Sequence, residues 1–321
     1  ISACLVGSEM CIRDRYYKCS MRKYRIVKNV VYILMAFCLL CGCQDSTKYP
    51  TKCEESPSQT EAEVLWPSQE ELSVLSDGSL AEVDLTHAND GYICARLLQE
   101  ASGIKLQISK DDKKYNYDLK TTEFKPFPMN MDNGSYTIKI LQQIEGTRYA
   151  ICASNTIDVQ LPNDLVPYLY PNQIVDYTKD SYVYKKSFEL VKDDRDDLTR
   201  IAHLFKYVVD TLDYDDQKAK DVSDTFVLPD IDGSLKTGKG ICFDYAASLA
   251  ALCRIQGIPA KVIVGWTDIE YHAWVEIYLK DTGWINPKIY FDKEKWNLVD
   301  PTFSDSKNSD YEGKYDEVYH Y

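Results

Sequence analysis

The chain has 321 residues, 45% of them apolar and 27% charged, a globular composition with room for two domains at roughly 100 to 200 residues each. Asp and Glu number 50 against 37 Lys and Arg, a formal net charge of -13, and no Lys/Arg-rich run supplies the basic footprint that nucleic acid requires. The eleven cysteines are irregularly spaced and form neither a disulfide framework nor paired metal-ligand spacing.

Ile1 to Ser20 shows neither a basic-then-apolar order nor periodicity, and residues 1–20 are read as a non-native translated extension. From Met21 the pattern is that of export. Arg22, Lys23, Arg25 and Lys28 form a basic region, Val30 to Leu40 an apolar run, and the run stops at Leu40-Cys41-Gly42-Cys43. About a dozen apolar residues are too few to cross a ~30 Å hydrocarbon core as a helix, so the segment reads as a cleaved signal, residues 21–42. Leu-x-Gly-Cys resembles the bacterial lipobox. That resemblance implies a lipid on Cys43 and a protein exported and anchored at the outer face of the cell membrane.

Residues 43–64 are polar and broken by Pro50 and Pro57, with too little apolar surface to offset the entropy of ordering, and are expected to be a flexible linker. Short strand-like runs follow at Ile104 to Ile108, Tyr115 to Leu119, Tyr136 to Leu141, Tyr149 to Ala153 and Ile157 to Leu161. Asn133-Gly134 is a turn signal ahead of an alternating run. A small β-sandwich over residues 65–165 is the economical reading. Within it His87 stands alone, and Cys94 and Cys152 read as buried small hydrophobes or one disulfide.

Residues 166–321 change character to mixed α+β. Leu198, Ile201, Ala202, Phe205, Val208, Val209 and Leu212 fall at helical spacing and make one apolar stripe; His203 on that helix reads as a surface or packed residue. A second helix begins near Cys242, carries Ala246, Ala247, Leu249, Ala250 and Cys253, and stops at Gly257 and Pro259. Ala260 to Trp266 and His272 to Leu279 read as strands. The second of these sets Ala273, Val275, Ile277 and Leu279 on one face and His272, Trp274, Glu276 and Tyr278 on the other.

Cys242 follows a glycine-bearing loop, Thr237-Gly238-Lys239-Gly240-Ile241, and opens its helix. Unpaired N–H groups and the positive end of the helix dipole favour an anion there, so a thiol with an ordinary pKa near ~8.5 should ionise more readily. A thiolate nucleophile needs an imidazole to take and return a proton, and the imidazole needs a carboxylate to hold its orientation. His272 opens a strand in the same half, and Asp300 ends the run Trp296-Asn297-Leu298-Val299-Asp300. If those strands pair antiparallel, the two side chains meet at one sheet edge.

Gly240-Ile241-Cys242-Phe243-Asp244-Tyr245-Ala246, Arg254-Ile255-Gln256-Gly257-Ile258-Pro259-Ala260, His272-Ala273-Trp274-Val275-Glu276-Ile277 and Val299-Asp300-Pro301-Thr302 together resemble the transglutaminase-like superfamily, in the family's order. The resemblance implies a papain-like core of helices packed on an antiparallel sheet. It also implies Cys242 as nucleophile, His272 as general base and acid, Asp300 as orienting carboxylate, and Tyr214 as a candidate oxyanion donor. The expected chemistry is thioester acyl transfer on amide or peptide bonds of a protein or peptide substrate, as peptidase, amidase or crosslinker, with no cofactor and no metal. Asp230-Ile231-Asp232-Gly233 is too short for a calcium loop. The alternative is a surface-tethered binding module that keeps the fold without the reaction.

Overall fold

In the computed structural model, described for residues 59–222, 226–267, 271–280, 282–285 and 315–321, eight strands build the first half. They are β1 (Val74–Ser76), β2 (Ala81–Asp84), β3 (Tyr92–Leu97), β4 (Ile104–Lys110), β5 (Lys113–Asp118), β6 (Lys125–Pro128), β7 (Gly134–Glu145) and β8 (Arg148–Val159). Two antiparallel sheets result, ordered β1-β2-β3-β6 and β5-β4-β7-β8. In β4 and β7 alternate side chains are buried, the period-2 signature of a sheet with one face on a core. Val83, Ile93 and Phe127 from the first sheet meet Leu106, Ile108, Tyr136 and Ile138 from the second in a single apolar core, which makes this unit a β-sandwich.

Several details differ from expectation. The two runs expected at 149–153 and 157–161 are one long strand, β8, paired along most of its length with β7. Gly134 is not the turn of a hairpin, because β6 and β7 lie in different sheets; the Asn133 side chain instead accepts the Leu161 N–H at 2.7 Å across that passage. Cys94 and Cys152 are both thiols rather than a disulfide, the first buried on β3 and the second half-buried on β8.

The second half holds α1 (Tyr182–Val191), α2 (Asp197–Thr211), β9 (Asp213–Tyr214), α3 (Asp216–Asp221), α4 (Ile231–Thr237), β10 (Lys239–Gly240), α5 (Cys242–Ile255), β11 (Ala260–Thr267), β12 (Tyr271–Leu279), β13 (Gly283–Ile285) and β14 (Tyr315–His320). Asp196 caps α2 by accepting the Thr199 N–H at 2.8 Å, and the stripe of Ile201, Leu204, Phe205 and Val208 is buried. Every residue of α5 is buried, because the helix lies between α1, α2 and α4 on one side and β11 and β12 on the other. Its alanines 246, 247, 250 and 251 let those neighbours approach. The helix ends in a Schellman motif: Gly257 has φ +70°, its N–H reaches the Arg254 carbonyl at 2.9 Å, and the Ile258 N–H reaches that of Cys253 at 3.0 Å.

The sheet beneath α5 has the order β13-β12-β11-β14, all antiparallel. Ala273, Val275, Ile277 and Leu279 face the helical core, as the alternation predicts. The protein is thus of the α+β class, with helices packed on an antiparallel sheet behind a β-sandwich. One boundary needs correction. The polar linker expected through residue 64 gives way sooner, for Thr60 and Glu63 close a capping turn and Val64 is buried in the core of the helical half. Trp66 follows it there, with ring centroids 5.6 Å from Tyr177 and 5.5 Å from Tyr184. The chain therefore touches the helical core before it builds the sandwich. The proposed signal and linker up to residue 58, with Cys43, lie outside the described residues.

Candidate active site

Cys242 is the first residue of α5, and the chain is held tightly on its approach. Gly240 pairs in parallel with Tyr214, and the Asp215 N–H donates to the Gly240 carbonyl at 3.0 Å. Ile241, at the N-cap, has no side chain able to cap. Asp244 takes over that task from the third helical position: its Oδ2 accepts the Ile241 N–H at 2.8 Å, the reciprocal half of a capping box. The same carboxylate accepts from Lys218 Nζ at 2.7 Å and from the Asp230 N–H at 3.1 Å, and none of its surface is exposed.

His272 is the second residue of β12 and pairs with Gly265 of β11. It is half-buried, and burial pushes its imidazole down to about 4. Its neighbour Tyr271 is buried, with a hydroxyl pushed up to about 12 by desolvation first and then by the charges of Tyr319 and Cys242. α5, the helix that Cys242 opens, packs directly on β12, the strand that carries Tyr271 and His272. Asp300, the third expected member, lies outside the described residues.

Tyr214 is brought beside the loop that leads to Cys242 by the β9–β10 pairing. Its side chain is 39% exposed, a surface group on the strand that pairs with Gly240. Trp266, 38% exposed, sets its ring edge-on to Tyr271 at 5.0 Å, and Phe226, 44% exposed, lies 6.0 Å from the ring of Phe243. Exposed aromatic rings thus stand beside Tyr271 on β12 and beside Phe243, the residue after Cys242. Trp274, in contrast, is buried.

The other thiols and imidazoles are placed differently. Cys253 is fully buried, with its thiol pushed far up by desolvation, and Cys94 is pushed up to about 12 by the same cause. His203 meets Asp194 at 2.8 Å on the surface. His320 is committed to Glu317 at 2.5 Å and to the Asn130 carbonyl at 2.7 Å. Among the described residues no three His, Cys, Asp or Glu side chains are grouped to hold a metal ion, and no helix is long and apolar enough to cross a membrane. What residue-by-residue reading missed was Asp244 with Lys218; the available signal was an acidic residue three places after a residue that cannot cap.

Comparison with known proteins bears on the same half. The family model of the transglutaminase-like superfamily matches residues 184–301, a stretch that includes Cys242, His272 and Asp300. The uncharacterized protein YebA of Bacillus subtilis (strain 168) is 30% identical over 94 residues, which are 23% of this chain and 12% of YebA's own length. Among solved structures, a candidate cysteine protease from Cytophaga hutchinsonii is 14% identical, with 58% of this chain and 71% of that one covered at a TM-score of 0.33. Red sea bream transglutaminase is 13% identical, with 61% and 47% covered at a TM-score of 0.28. By the family match, residues 184–301 of this chain are a transglutaminase-like superfamily domain.

Proposed function

We propose that this domain is a cysteine acyltransferase or hydrolase acting on amide or peptide bonds. Cys242 loses its proton to His272 and its sulfur adds to the carbonyl carbon. Collapse of the tetrahedral adduct breaks the C–N bond, His272 returns the proton to the leaving amine, and a thioester remains. Water or a second amine then attacks the thioester, giving hydrolysis or crosslinking, with Asp300 orienting the imidazole throughout. The observation that carries the reading is the position of Cys242 at the start of α5, the helix that packs directly on β12, the strand carrying His272. The exposed rings of Tyr214, Phe226 and Trp266 suit a protein or peptide substrate with apolar side chains near the scissile bond.

The test is alkylation of Cys242 by iodoacetamide near neutral pH, read by mass spectrometry with Cys253 as internal reference, alongside amide-bond cleavage of a peptide library. Faster labelling of Cys242 than of Cys253, with cleavage or transamidation lost in His272→Ala, is the expected result. Equal labelling with no turnover would turn the reading to a binding module on the same fold. The basic-then-apolar pattern of residues 21–42 ending at Leu40-Cys41-Gly42-Cys43 supports a second part of the proposal, that the segment is an export signal and lipid on Cys43 tethers the domain at the outer face of the membrane. Cys43→Ala should then move the protein from the membrane fraction to the soluble one.

A further inference from the structure

Asp244 sits two residues after Cys242, about half a helical turn on, and its carboxylate folds back to accept the N–H of Ile241, the residue immediately before the group proposed above to react as a thiolate. A carboxylate so close to a developing sulfur anion opposes it by like-charge repulsion, and more strongly in a buried setting than in water. The arrangement holds the means of cancelling that charge. Lys218 Nζ lies 2.7 Å from Asp244 Oδ2, with the carboxylate side chain 1% exposed and the ammonium 26% exposed. Lys218 is carried on α3, whose start is capped by Asp215 accepting from the Gln217 and Lys218 N–H groups. Asp215 is itself bound to the Gly240 carbonyl through its N–H. The ammonium is therefore fixed by the strand pair that also fixes the nucleophile's loop.

We propose that Lys218 is a positioning and charge-balancing residue for Cys242: it neutralises Asp244, so that the carboxylate can pin the Ile241 N–H without suppressing the thiolate. This inference rests on Cys242 reacting as a thiolate. The other titratable groups around this region are Tyr271 and His272 on β12, Tyr214 on β9, Lys239 on β10 and the Asp230 segment ahead of α4. Among the described residues, the Asp244 carboxylate accepts from Lys218 Nζ and from the Ile241 and Asp230 N–H groups.

The test is the pH profile of iodoacetamide alkylation of Cys242 in wild type, Lys218→Met, Asp244→Asn, Lys218→Arg and the double variant Lys218→Met/Asp244→Asn. Lys218→Met leaves an unbalanced carboxylate, so its midpoint should move to higher pH, with a rate near neutral pH about 5- to 10-fold lower, given that one pKa unit is a factor of ten. Asp244→Asn leaves an unbalanced ammonium and should move the midpoint the other way. Lys218→Arg and the double variant should lie within about twofold of wild type. A purely structural role would move both single variants in the same direction and leave the double variant the worst. That pattern, or unmoved midpoints, overturns the inference while leaving acyl transfer standing. Failure of wild-type Cys242 to alkylate at any pH overturns both. Should Lys218→Met not fold, the direction of the Asp244→Asn shift decides.

Discussion

Gly240 and Asp244 occupy one small volume: a Cβ on the glycine would fall 2.9 Å from the Cβ of the aspartate and 3.4 Å from its Oδ2. The glycine two places before Cys242 is therefore required by the aspartate two places after it, which links two parts of the Gly-Ile-Cys-Phe-Asp run by sterics. Gly240→Ala should displace the carboxylate from the Ile241 N–H and lower stability by about 1–3 kcal/mol, the usual cost of overpacking. Urea unfolding measures the loss, and slower alkylation of Cys242 should accompany it. Unchanged stability and labelling would show that the loop can yield.

The start of α5 has a second brace in Tyr245, whose hydroxyl donates to the Leu212 carbonyl at 2.5 Å at the end of α2. Tyr245→Phe leaves that carbonyl without this donor in a buried setting, a cost of about 1–3 kcal/mol. The expected outcome is a lower denaturant midpoint with an unchanged slope.

His272 gives a pH signature with a definite sign. Its imidazole is pushed from 6.5 down to about 4 by burial, so between those values the unfolded chain binds more protons at this site than the folded one. Stability from this group is fully present above pH 6.5 and is lost as the pH falls towards 4. Urea midpoints measured across that window should fall more steeply in wild type than in His272→Gln. Parallel curves would mean that the ring is solvated in the folded state.

Arg254 is buried at the end of α5 and donates to three carbonyls: from Nε to Ala260 at 2.9 Å, from Nη1 to Tyr170 at 2.7 Å and from Nη2 to Tyr321 at 2.8 Å. Burial lowers its pKa to about 10, and the three oxygens are what make an interior guanidinium tolerable. Arg254→Met should cost at least ~3 kcal/mol, since several carbonyls lose their donor at once. Arg254→Lys should recover only part of that, because an ammonium cannot span the three directions. Amide exchange at Tyr321 and Val262, bonded to each other at 2.8 and 3.0 Å, should quicken in both variants.

The sequence reveals most where periodicity is clean. The stripe of α2, the alternation of β4, β7 and β12, and the Gly257–Pro259 stop of α5 each follow from one local rule. The strands β1, β2, β3 and β6 escaped notice for physical reasons. β3, buried along nearly its whole length, has no period of two, and β1 and β6 are three and four residues long. Val64 and Trp66 are isolated apolar residues in a polar stretch, so only tertiary contact reveals their burial. The places of Cys242 at the start of a helix and of His272 at the start of a strand were legible from local wording, whereas the Lys218–Asp244 pair was not, because its partners are 26 residues apart.

The last described strand also shapes how the molecule forms. β14 pairs with β11, while His320 and Asn130, 190 residues apart, exchange hydrogen bonds through the His320 ring and carbonyl. Pairing β11 with β14 is itself non-local and slow relative to local helix formation, so β11 is expected to wait with an unpaired edge during refolding, and an open edge invites pairing between chains. Yield on dilution from denaturant should therefore fall steeply with protein concentration, and a synthetic peptide spanning residues 315–321, supplied in excess, should compete for that edge.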